Sequence, residues 1–248
     1  MEKKKESIMK PLEEMNLIDD FLFTEVMTDE ENGQKACRII LETVLRRKLG
    51  EIHFECQKVV PGVSESFHGI RLDTFIRELP AGDGSDIPGI SIYDIEPDKR
   101  SEQKDSLPKR ARYYGDLMDV QLLKTSVDYE KLPEQVTIFI LSYDPFDKDA
   151  MYYEAGTMLI THPDVSYNDG VRRIFLYADG KLPEESTEDD RKLQKLLKYI
   201  ARSTNDNITD ESTGELDKIV RNTKAKKEPF LLSCVFCTTL QKRTSDRI

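Results

Sequence analysis

Ile90-Ser91-Ile92-Tyr93-Asp94-Ile95-Glu96-Pro97-Asp98 is the most informative run of this sequence. It is a strand-like run. Side chains in a strand alternate faces, so Asp94, Glu96 and Asp98 share one side and Tyr93, Ile95 and Pro97 the other. An earlier strand-like run, Gly69-Ile70-Arg71-Leu72-Asp73-Thr74-Phe75-Ile76, delivers another carboxylate at Asp73. Acids on neighbouring strands can converge on a hard divalent cation such as Mg²⁺, which takes oxygen ligands and retains waters or phosphate oxygens. The same acids also read as solvent-facing groups on an edge hairpin, and spacing alone leaves both readings open.

Working outward, the run after the second strand is Leu107-Pro108-Lys109-Arg110-Ala111-Arg112-Tyr113-Tyr114. Ser106 before Leu107-Pro108 marks a helix start, because proline is favoured in the first turn, and the spacing predicts a helix over Lys109–Leu123. Upstream, two helices are expected between Asp19 and Leu49, broken near Asp29–Gly33, followed by strands over Glu51–Val60 and Gly69–Glu78. The turn between those strands is marked by Pro61-Gly62, and Pro80–Gly89 reads as a polar loop. Downstream, Val136–Tyr143 and Gly170–Tyr177 read as buried strands. Between them, Asp147–Asp169 reads as an insertion with a hairpin through Met151–Tyr153 and Thr157–Ile160. Glu184–Ile200 carries an apolar stripe of Leu193, Leu196, Leu197 and Ile200, and a short helix is expected near Gly214–Lys224.

These pieces occur in one order: L-D-T-F-I-R, then Y-D-I-E-P, then L-P-K-R-A-R-Y-Y-G-D-L-M-D. Before them stands Asp19-Asp20-Phe21-Leu22-Phe23, and after them Val136–Phe146. The chain from about Asp19 to about Gly180 resembles the Rpn/PD-(D/E)XK nuclease family transposases, bacterial proteins also described as recombination-promoting nucleases. The resemblance implies a restriction-endonuclease-like α/β fold, a mixed sheet flanked by helices. It also implies Mg²⁺-dependent hydrolysis of DNA phosphodiester bonds, with Asp73 and Glu96 as metal ligands and Asp20 supporting them from the opening helix. Two positions depart from the family pattern. The third active-site position, usually Lys or Gln, is Asp98 here, and Thr24 stands where a Lys usually follows the Phe of the opening helix. Asp98 is expected as a further ligand, or as an acid whose missing positive charge Arg110 or Lys109 would supply. Lys99, one residue on, would face the other way on an unbroken strand unless Pro97 seeds a bulge.

Composition bounds the partners. The chain has 248 residues and a formal net charge of −10, which opposes bulk attraction to nucleic acid. A DNA enzyme would then concentrate its positive charge locally. Lys104, Lys109, Arg110 and Arg112 are the candidates, with Lys109, Arg110, Arg112 and Tyr113 as DNA-contacting residues. The cluster also reads as an ordinary solvated helix face, and Tyr113 as a core aromatic. DNA is the implied partner, with a second copy of the chain as a further candidate.

The sequence also limits what else the protein does. It has no apolar run near the roughly 20 residues of a membrane span and no apolar signal core after Met1, so a reducing cytoplasm is the expected home. Cys37 and Cys56 read as buried thiols. Cys234-x-x-Cys237 lacks the four ligands of a structural zinc site. There is no phosphate-binding glycine loop and no nucleophile elbow. The expected organisation is a loose charged segment (1–16), a nuclease-like domain (17–182), a helical region (183–227) and an atypical apolar tail (228–248). The alternative to an endonuclease is a non-catalytic protein that keeps the fold for binding or regulation, or a degenerate remnant of a mobile element.

Overall fold

The computed structural model describes residues 10–60, 70–79, 91–122 and 128–227. Among them, one mixed sheet contains β1 (Ile52–Val60), β2 (Ile70–Glu78), β3 (Ser91–Asp98), β4 (Glu134–Leu141), β5 (Tyr152–Ala155) and β6 (Val171–Tyr177). The strands lie in the order β1-β2-β3-β4-β6-β5. The β1/β2 and β2/β3 pairs are antiparallel, β3/β4 and β4/β6 parallel, and β5 returns antiparallel on β6. The helices are α1 (Asp20–Met27), α2 (Gly33–Leu45), α3 (Leu107–Leu122), α4 (Glu188–Ala201) and α5, residues 211–227. This is the α/β architecture expected from the sequence, a mixed sheet flanked by helices.

Alternation along the strands divides the apolar residues between two layers. Ile76, Tyr93, Ile95, Val136, Ile138, Ile140, Ile174 and Leu176 join residues of α1, α2, α4 and α5 in the main core. The opposite face is covered by α3. There Leu72, Phe75 and Ile92 meet Leu117 and Met118, while Phe139, Leu141 and Phe175 meet Leu107 and Ala111. The stripe of Leu193, Leu196, Leu197 and Ile200 is buried in the main core. At about 2 kcal/mol per buried side chain, it ties α4 to the sheet strongly. The helical region is therefore continuous with the core. Its start is fixed by a capping box in which Thr187 and Asp190 satisfy each other's backbone N–H groups.

Close approaches at glycine position two of the helices. A Cβ on Gly33 would sit 2.3 Å from the Met27 carbonyl oxygen, so only glycine lets α2 start directly against the end of α1. A Cβ on Gly115 would meet the Gln135 side chain at 2.6 Å. Gln135 uses that proximity to donate to the Gly115 carbonyl at 3.0 Å, which seats α3 on β4.

Several expectations need correction. Residues 10–16 are not loose: Leu12 and Met15 are buried, and Lys224 donates to the Glu13 and Met15 carbonyls at 3.0 and 2.6 Å. The insertion before β6 forms no hairpin of its own, because Tyr152–Ala155 pairs with β6 and residues 157–160 are not a strand. An alternating apolar pattern specifies a strand but not its partner. Cys37 is buried as expected. The Pro61-Gly62 turn, the Pro80–Gly89 loop, the Cys56 side chain and the 228–248 tail lie outside the described residues. Among the described residues, no helix is long and apolar enough to cross a membrane.

Candidate functional site

The β2–β3 ladder runs from Glu78↔Ser91 to Phe75↔Asp94. Continued by two residues, the register sets Asp73 opposite Glu96, but the ladder does not continue there. The Asp73 backbone N–H instead donates to Glu96 Oε1 at 2.9 Å, so a carboxylate takes the place of a strand partner. The structure thus brings Asp73 and Glu96 together on adjacent strands, at a cavity that Tyr114 of α3 also lines. Asp94 lies on the same face one alternation earlier, and both of its oxygens are buried without a hydrogen-bond donor.

Burial opposes charge here more than any other influence. It pushes the Asp94 carboxyl well above the usual range, and the neighbouring Asp73 charge adds to this. Burial raises Glu96 as well, reinforced by the charges of Asp94 and Asp73. Glu96 and Asp94 can hydrogen-bond to each other only when one carries a proton, because two carboxylates offer no donor between them. Tyr114, beside them, is pushed up to about 12 by burial and by Glu96.

A cavity of about 360 Å³ opens over this cluster, lined by Ile18, Asp20, Asp73, Glu96, Pro97, Asp98, Lys99, Arg100 and Tyr114. Asp20 reaches it from the first residue of α1. A larger cavity of about 640 Å³ lies against α2, α4 and α5. Its charges are largely paired among themselves, as in Lys35–Glu215, Arg38–Glu42 and Lys48–Glu42. Size therefore does not identify the site; unmet charge does.

Asp98 shares the face of Asp94 and Glu96 but has a different role from theirs. Its Oδ1 accepts from the backbone N–H and Nε of Arg100, each at 2.9 Å. Its Oδ2 accepts from Arg110 Nη2 and from the Tyr143 hydroxyl at 3.2 Å. Burial would raise this carboxyl, but Arg100 and Arg110 together hold it below the ordinary value. Asp98 is therefore a paired anion on the cavity wall, and the excess negative charge expected at this position is neutralised on the spot.

The basic helix divides in the same way. Arg110 faces Asp98 with its side chain only 15% exposed, stacked 5.3 Å from the Phe139 ring centre, so it is committed to the interior rather than to solvent. Tyr113 packs against the Leu72–Met118 cluster. Lys104 pairs with Asp147 at 2.7 Å. Lys109 and Arg112 are exposed and line neither cavity.

Two further cations line the cavity, Lys99 and Arg100, the second without a counterpart among the sequence expectations. Lys99 lines it because β3 ends at Asp98, and alternation no longer applies beyond the strand. Its ammonium lies 2.5 Å from Asp19, which also meets Lys10 at 3.3 Å. Arg100 lines the same cavity with its side chain 49% exposed. The D-I-E-P-D-K-R string does contain a signal for both, since proline near a strand end is a cue for termination.

Asp73 and Glu96 are hard oxygen donors of the kind Mg²⁺ takes, and the orphaned Asp94 carboxylate beneath them is what a cation would compensate. Among the described residues, no three His, Cys, Asp or Glu side chains are already arranged as a ligand set. The residues fit a Mg²⁺ site of one or two carboxylates completed by water and phosphate, not an all-protein cage. Compared with known proteins, the chain matches no family model, no curated protein and no solved structure.

Proposed function

We propose that the protein is a divalent-metal-dependent phosphodiesterase acting on DNA, with Asp73 and Glu96 holding the metal. The observation that carries this reading is the pair of buried carboxyls, Asp94 and Glu96, beside Asp73 under an open cavity. Burying such charge without a partner is costly, and folds retain it where the missing partner is a bound cation or a catalytic proton. The segmental resemblance to PD-(D/E)XK nucleases supports the same reading and supplies DNA as the substrate.

A bound Mg²⁺ supplies an activated water and neutralises charge on the phosphate. The protein's own residues do the rest. Glu96 is held in place by the Asp73 N–H. Asp94 lies one alternation earlier on the same strand, and Tyr114 lines one wall of the cavity. In hydrolysis the water oxygen bonds to phosphorus while a phosphorus–oxygen ester bond breaks. One water proton is released and the leaving alkoxide takes up a proton to become the alcohol.

The test is cleavage of plasmid and linear DNA with and without Mg²⁺ or Mn²⁺, alongside calorimetric titration of the metal. Wild-type protein is expected to bind the metal and cleave, and Asp73→Ala and Glu96→Gln to do neither. Wild-type protein that binds no divalent ion would leave the fold as a non-catalytic binding module.

A further inference from the structure

Three cationic side chains line the acidic cavity or its wall, and they differ in what holds them. The Lys99 ammonium is engaged by Asp19. Arg110 is covered and bound to Asp98. Arg100 is half-exposed, and only its backbone N–H and Nε are engaged, both by Asp98 Oδ1. Its two terminal nitrogens have no acceptor among the described residues.

We propose that Arg100 is the phosphate clamp of this site and that Asp98 is its positioning residue. The inference rests on the phosphodiesterase reading and deepens it by naming the group that grips the substrate anion. Pinning Nε and the backbone N–H to one carboxylate oxygen fixes the plane of the guanidinium. The remaining fork of N–H groups matches two oxygens of a phosphate, a geometry a lysine ammonium does not reproduce. Arg100 shares its cavity with Asp73 and Glu96, so a phosphate held there lies beside the carboxylates that take the metal. Asp98 is paired to a second cation, Arg110, and to Tyr143, so it stays anionic and oriented whether or not substrate is present. This accounts for an acid at Asp98: the strand carries an arginine holder in place of a cation. The positive charge a phosphate meets comes from the residue two positions later. The exposed Lys109 and Arg112 are outside this cavity and are not needed for the clamp.

The experiment measures binding of a labelled short DNA duplex to the full chain across a salt series, with Ca²⁺ replacing Mg²⁺ and inorganic phosphate as competitor. Arg100→Ala is expected to weaken binding about tenfold, the scale of one charge-assisted contact. It should also lower the salt slope by about one unit, while divalent-ion affinity is retained. Arg100→Lys should recover the salt slope but not the affinity. Asp98→Asn should weaken DNA binding in the wild-type background and add nothing in the Arg100→Ala background, because a positioning residue acts only through its partner. Arg100→Ala binding with unchanged affinity and salt slope would overturn the clamp, as would wild-type protein that binds neither duplex nor phosphate. The two proposals separate cleanly. Arg100-dependent binding without metal-dependent cleavage refutes the phosphodiesterase and keeps the clamp. Metal-dependent cleavage indifferent to Arg100→Ala does the reverse.

Discussion

Strands β2 and β3 carry buried carboxylates on both faces of the sheet, and the two faces treat them in opposite ways. On the main-core side, Glu78 receives two bonds from Arg47 at 2.8 and 2.6 Å, one from the Tyr93 hydroxyl at 2.6 Å and one from the Gly50 N–H at 2.8 Å. Burial alone would raise it, but Arg47 and Tyr93 bring it down to about 2. On the α3 side, Asp94 meets no N–H donor and can only share a proton with Glu96, Glu96 receives one backbone N–H, and both are raised. The same strands thus hold one carboxylate that is fully provided for and two that are not. The first has the arrangement of a structural ion pair. The second has that of acids kept protonated by burial.

The sharpest way to break this comparison is to remove a carboxylate from each side. Glu96→Gln should abolish metal-dependent cleavage, a loss on the order of 10³-fold for several kcal/mol of transition-state stabilisation. Its fold should survive, as read by circular dichroism and urea melts. Glu78→Gln should leave cleavage unchanged and lower stability by about 2 kcal/mol in urea melts, the scale of hydrogen bonds to a charged group. A Glu78→Gln variant that loses cleavage selectively would show that the two sides are coupled.

Next in size is Asp98→Ala, which leaves Arg110 unpaired beneath the surface. Breaking such a pair costs about 3 kcal/mol, the lower end of the usual range because Arg100 is half in water. An Asp98→Lys substitution should be worse, since it sets a third cation against two arginines. Urea denaturation midpoints with unchanged slope check both.

A smaller effect runs the other way. Asp94→Asn should raise metal-free stability by about 1 kcal/mol, because functional sites hold strain that neutral substitutions relieve. It should also shrink the stabilisation that Mg²⁺ gives the wild type in thermal melts. If Asp94→Asn destabilises the metal-free protein, the cluster is structural and the comparison fails.

The two sides should also leave opposite marks on the pH profile. Glu78 is depressed when folded, so its contribution is present above its ordinary value of 4.5 and is lost as pH falls toward about 2. Asp94 and Glu96 are raised when folded, so the folded state holds protons the unfolded chain has released. Stability therefore declines as pH climbs above the ordinary carboxylate range toward their raised values. Thermal melts from acid to neutral pH, with and without Mg²⁺, should show the second loss relieved by the metal. The gap between wild type and Glu78→Gln should narrow as pH falls below 4.5 and close only near about 2.

Much of this molecule is legible from local pattern. Alternation along Ser91–Asp98 puts Asp94, Glu96 and Asp98 on one face, and the i, i+3, i+4, i+7 spacing of Leu193, Leu196, Leu197 and Ile200 makes α4 amphipathic. The strand near Tyr152 is equally legible, but its pairing is not, because period two is the same whichever strand lies alongside. Lys99 shows a related limit: alternation would turn it away on an unbroken strand, but β3 ends one residue before it.

Local pattern thus specifies which residues are strands, which are helices, and which acids look the same way. Which of those acids are neutralised depends on how the elements pack. Asp98 meets an arginine twelve residues on, and Glu78 one thirty-one residues back. Asp94, on the same face as Asp98, meets none. Face is a property of local backbone geometry and can be counted along the chain. Partnership depends on which side chains from other elements come within about 3 Å, the reach of a hydrogen bond, and that is decided when helix and sheet pack.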